Sequence, residues 1–90
     1  MGKIKGRLLA DLHPNGTVRI VFIASIGGGK EAPLTAKDLN TAELVFMTCG
    51  LTRAQSAELR AELVRNKVVN LEASVEEAIA VKFNYPRTVG

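Results

Sequence analysis

The chain has no tryptophan, one cysteine and one histidine, and each scarcity removes a class of protein. Cys49 alone cannot close an intrachain disulfide, which excludes a secreted disulfide scaffold. Cys49 and His13 together fall short of the tetrahedral Cys/His set that a structural zinc site requires. Aromatic residues are confined to Phe22, Phe46, Phe83 and Tyr85, so a core must be built from Leu, Val, Ile and Ala. The longest apolar run, Ile20 to Ala24, is far too short to cross a bilayer. The basic start, Lys3 and Lys5, is interrupted by Asp11 and His13 before any signal-peptide apolar stretch develops. With Gly6 at the sixth position the myristoylation pattern fails as well. The expectation is a cytoplasmic chain with no membrane partner.

What remains is globular. Ninety residues with 47% apolar and 23% charged content describe one domain, 1–90, short enough that a second subunit is a realistic way to complete its core. The net charge of +3 is uneven: residues 1–30 carry +4 and residues 31–90 carry −1. An anionic partner for the N-terminal third is one reading of this imbalance.

Two segments alternate with a period of two. Ile4, Leu8, Ala10 and Leu12 share one face of the first, and Val18, Ile20, Phe22, Ala24 and Ile26 share one face of the second. Between them lies His13-Pro14-Asn15-Gly16-Thr17. A two-residue Asn-Gly loop would set Leu12 against Arg19 and spoil the apolar face. A three-residue loop with Gly16 left-handed pairs His13 with Thr17, Leu12 with Val18, Leu8 with Phe22 and Ile4 with Ile26. The pattern selects the latter. The opposite face then gains an Asp11–Arg19 pair and an apolar island of Leu9, Val21 and Ile23.

Gly27 to Pro33 reads as a connector. Thr35 with Asp38 has the form of an N-cap and an acid at the third helical position, which predicts a helix from Ala36. Leu39, Ala42, Phe46 and Cys49 recur at helical spacing, widened by Leu44, Val45 and Met47, and Gly50 stops that helix. Thr52 and Gln55 form a second capping box before a helix that runs to about Asn66. Leu59 and Leu63 are its inward residues, and the row Ala54, Ala57, Ala61 permits close approach of another element. Residues from Lys67 to Ala73 alternate as a third strand. Over 75–85 both helix and strand fit; the box Ser74 to Glu77 favours a short helix.

The predicted fold is therefore α+β: an N-terminal β-hairpin, a two-helix hairpin packed on its apolar face, a third strand, and a short C-terminal helix or fourth strand. Chemistry-bearing motifs are weak. Gly27-Gly28-Gly29-Lys30 lacks the P-loop glycine (Ala24 stands there) and the Ser or Thr after the lysine (Glu31), so a glycine connector is favoured. The turn at Cys49-Gly50-Leu51 partly resembles a helix-hairpin-helix, without its second glycine (Thr52) or preceding proline (Cys49). Cys49 and His13 have nothing in the sequence to bring them together as nucleophile and base, and no serine lies in a nucleophile elbow.

These readings predict a non-enzymatic interaction module, without cofactor or metal, that self-associates as a homodimer and binds a protein partner. Leu9, Val21 and Ile23 are the candidate self-association residues. The alternative is a small nucleic-acid-binding regulator using Lys3, Lys5, Arg7 and Arg19 on the basic strand face, or the helix pair 36–66. That strand face has no aromatic residue on which bases could stack.

Overall fold

A computed structural model describes residues 2–25 and 33–80. Its elements in chain order are β1 (Lys3–Leu12), β2 (Val18–Ala24), β3 (Leu34–Ala36), α1 (Leu39–Thr48), α2 (Arg53–Asn66), β4 (Val68–Glu76) and α3 (Glu77–Ala80). The strands form one antiparallel sheet in the order β3-β2-β1-β4, and α1 and α2 cover one of its faces. This is an α+β arrangement of two layers.

The β1–β2 hairpin has the register that the apolar pattern predicts: Leu12 opposite Val18, Ala10 opposite Ile20 and Leu8 opposite Phe22. His13 N–H donates to Thr17 O at 2.9 Å, Gly16 N–H donates to His13 O at 2.9 Å, and Gly16 has φ +91°. Only a residue without Cβ enters that region cheaply, so glycine there lets a three-residue loop close the hairpin. The Asn15 carboxamide oxygen secures the turn, accepting from Thr17 N–H at 3.0 Å and from the Thr17 hydroxyl at 2.7 Å. Ile26, expected opposite Ile4, lies outside the described residues, as does most of the glycine connector.

Leu8, Ala10, Val18, Ile20 and Phe22 from the hairpin meet Ala42 and Phe46 from α1, Cys49 at its C-terminal end, and Leu59 and Leu63 from α2 in one core. β1 needs its glycine here. A Cβ built on Gly6 would crowd the Ile23 carbonyl oxygen and lie 2.7 Å from Phe22 Cζ and 2.9 Å from Ala24 Cα. The Phe22 ring thus lies over the gap that Gly6 leaves. Ser56 of α2 is also fully buried, and its hydroxyl has no hydrogen-bond partner among the described residues.

The α1–α2 junction follows from local chemistry. Gly50 (φ +101°) sits one residue past the Cys49 C-cap; its N–H donates to Met47 O at 3.0 Å and Leu51 N–H donates to Phe46 O at 3.2 Å. This is a Schellman closure. The capping box forms as predicted, with Gln55 N–H donating to Thr52 Oγ1 at 3.1 Å and Thr52 N–H donating to Gln55 Oε1 at 2.9 Å. Arg60 Nη1 clamps the helices together through Asn40 Oδ1 and Glu43 Oε1, both at 2.6 Å.

Several boundaries differ from expectation. The first helix begins at Leu39, not Ala36, because Asp38 is the N-cap and accepts from Thr41 N–H at 2.7 Å. Hydrogen bonding from Thr41, first from its backbone N–H and then from its side chain, holds the Asp38 carboxyl below its ordinary pKa of 3.8. Thr35 and Ala36 belong instead to β3, which pairs Ala36 with Val18 and Leu34 with Ile20. The last strand starts after Lys67, which closes α2 in the left-handed region (φ 70°), and it runs three residues past Ala73. Ser74 therefore lies within a strand and caps no helix. In the ambiguous span 75–85, Val75 and Glu76 are strand, 77–80 are helix, and the rest lies outside the described residues. Leu44, read as part of the inward face of α1, is 60% exposed.

Candidate interaction surface

The sheet face away from the helices collects every candidate residue of the hairpin. Odd positions of β1 and β2 and even positions of β4 point there, since successive strand side chains alternate. β4 reaches this sheet by a crossover through both helices and lies antiparallel to β1, with Asn70 opposite Leu9, Val68 opposite Asp11 and Glu72 opposite Arg7. Leu9 stands opposite Val21, and Arg7 opposite Ile23.

The centre of this face is apolar. Val21 is 4% exposed, Leu9 is half-buried, Ile23 is 42% exposed and Val68 is 52% exposed. They border a shallow depression of about 330 Å³ shared with Asp11 and Arg19. Of the three candidate self-association residues, Val21 is covered within its own chain, Leu9 is half-buried and Ile23 alone is exposed. Val68, which sequence reasoning missed, is the second exposed member. Its signal was present as the even-numbered residue beside Val69. The register that brings it next to Leu9 is set by a long-range pairing that no local pattern encodes.

The rim is charged and partly neutralised. Arg19 Nη1 lies 3.9 Å from Asp11 Oδ2, and Arg7 Nη1 lies 3.7 Å from Glu72 Oε2. Arg7 Nε also donates to Asn70 Oδ1 at 2.8 Å. Lys3 and Lys5 are exposed, opposite Glu76 and Ser74. Two of the four candidate cations are therefore engaged by groups of their own sheet.

The helix pair offers little to a phosphate. The Gly50, Leu51 and Thr52 amides are all consumed by local acceptors, and Arg60 is held by Glu43 and Asn40. A second cleft of about 710 Å³ runs between the hairpin turn and the helices, past His13, Asp38, Arg60 and Lys67. Three of its polar groups are engaged: Asp38 caps α1, Arg60 clamps it, and Lys67 Nζ donates to Val64 O at 3.3 Å. Cys49 is buried under the core, and burial pushes its thiol from the ordinary 9.0 up to about 11. His13 sits in the exposed hairpin loop, so the structure does not bring these two together. Among the described residues, no group of three or more His, Cys, Asp or Glu could hold a metal ion, and no helix is long and apolar enough to cross a membrane.

No known protein family, characterised protein or solved structure matches the chain.

Proposed function

We propose that this chain is a non-enzymatic interaction module that self-associates and offers the sheet face away from its helices to protein contact. The observation that carries the reading is the composition of that face. An apolar centre with Ile23 and Val68 exposed is bordered by the pairs Asp11–Arg19 and Glu72–Arg7, and the exposed Lys3 and Lys5 stand apart from it towards the start of β1. Protein interfaces have this anatomy, a dry centre within a polar rim. A nucleic-acid surface instead presents cations free to replace the counterions of phosphate. The thiol of Cys49, buried and held protonated at neutral pH, supports a structural rather than nucleophilic role.

The test pairs two measurements. Sedimentation at micromolar concentration should find a dimer or larger species, and a monomer would overturn self-association. Titration with a generic DNA duplex should find no micromolar binding; micromolar affinity that collapses with added salt would favour the nucleic-acid alternative through Lys3, Lys5, Arg7 and Arg19.

A further inference from the structure

β4 ends the sheet, and its outer edge is a strand without a neighbour among the described residues. Which backbone groups face outward follows from one hydrogen bond. Leu12 N–H donates to Lys67 O at 2.7 Å, continuing the register that sets Ala10 opposite Val69 and Leu8 opposite Leu71. Bonded pairs alternate along an antiparallel ladder, so Val69, Leu71, Ala73 and Val75 turn their N–H and C=O groups towards β1. The groups of Val68, Asn70, Glu72, Ser74 and Glu76 therefore point outward. Ser25 N–H donating to Lys5 O at 2.8 Å confirms the parity, because odd residues of β1 serve β2 and even ones serve β4.

An edge of this length is usually blunted by charged side chains, proline, a bulge or a covering loop, or else it pairs; the charges of β4 are Glu72 and Glu76, at and beyond the end of the stretch Val68 to Glu72. β4 contains neither proline nor glycine. Near Ser74 it is flanked: a Cβ on Gly50, in the α1–α2 turn, would lie 3.4 Å from the Ser74 carbonyl oxygen. The open stretch is thus Val68 to Glu72, and its midpoint is Asn70.

From this geometry we infer that the partner is a second copy of this chain, joined antiparallel along β4 with Asn70 opposite Asn70 across a two-fold axis. This rests on the self-association proposed above and names the strand that carries it. The register is selected by charge. Centring on Glu72 would set two carboxylates face to face, which is unfavourable. Centring on Asn70 sets Glu72 opposite Val68 and leaves no like charges paired. The outward groups of Val68, Asn70 and Glu72 then complete a ladder, and a two-fold makes that surface self-complementary. The two open faces become one continuous surface, with Val68 of each copy beside the seam.

The test is Asn70→Cys in the full chain under mild oxidation. A bonded antiparallel pair sets Cα atoms about 5.5 Å apart, within disulfide range. Cys49 is buried and does not compete. A cross-linked dimer should form at Asn70→Cys and not at the control Thr35→Cys on the opposite edge strand. Asn70→Lys, which places like charges on the axis at an exposed position, should sediment as a monomer where the wild type is dimeric. A wild-type dimer with no cross-link at position 70, and undisturbed by Asn70→Lys, would overturn the β4 seam while leaving self-association standing. A wild-type monomer would overturn both.

Discussion

Replacing Gly6 by alanine adds one methyl group to the middle of the sheet, and the consequence can be worked from its surroundings. The new Cβ would point to the helix-covered face beneath the Phe22 ring, 2.7 Å from Cζ, 2.9 Å from Ala24 Cα and closer still to the Ile23 carbonyl oxygen. The ring can move, but two of the three groups are backbone of the paired strand, so β1 and β2 must separate locally. Overpacking of this kind costs about 1–3 kcal/mol, sometimes more. Against it stands the ordinary gain of about 0.4–1 kcal/mol from restricting the unfolded chain. The clash wins. In urea, with a slope near 1 kcal/mol per molar for a small domain, the unfolding midpoint should fall by about 1 M. Adding Phe22→Leu should recover only part of the loss, because it relieves the ring and leaves the Ile23 carbonyl. An unchanged or raised midpoint for Gly6→Ala would refute the close approach of β1 and β2 and the placing of the ring over Gly6.

Four further outcomes are expected. Gly16→Val should lower stability by about 1–2 kcal/mol in the same assay, since a β-branched residue is strained at φ +91°. Phe22→Ala should cost about 3–5 kcal/mol, a large share of the stability of so small a domain, and a fully folded variant with a small loss would contradict the core assignment. Ser56→Ala should be neutral or stabilising, by up to about 1–3 kcal/mol, because the buried hydroxyl has no partner to lose. Stability should be independent of Cys49 below pH 9 and decline as pH rises from 9 towards 11: the unfolded thiol ionises first while the buried one stays protonated. Cys49→Ala should remove that part of the alkaline loss in a series of melts.

The parts of the fold that sequence made legible are those decided locally. The hairpin register was readable because one face of each strand is apolar and a one-residue slip would expose all of it. Gly50 and the Thr52–Gln55 box announced the α1–α2 junction because capping uses groups within a single turn. What was misread depended on distant partners. Thr35 and Asp38 satisfy the spacing of a capping box, yet Val18 and Ile20 claim Ala36 and Leu34 as a strand, and Asp38 is left to start the helix. Ser74 also has the spacing of a cap and is held in β4 by the ladder to β1. The open face was half legible: Leu9, Val21 and Ile23 could be grouped from the hairpin alone. The arrival of Val68, and the engagement of Arg7 by Asn70 and Glu72, needed the crossover that places β4 beside β1.

The paired arginines at the rim of the sheet face matter most for choosing between protein and nucleic acid. Arginines held by Asp11 and Glu72 would have to abandon those partners to reach a phosphate, and exposed pairs of this kind are screened as salt rises. Association driven by strand pairing and apolar contact should survive salt that dissolves an electrostatic complex. Sedimentation of the unmodified chain at micromolar concentration, in low and in high salt, therefore separates the two kinds of association. A dimer is expected in both; a monomer in both would overturn self-association.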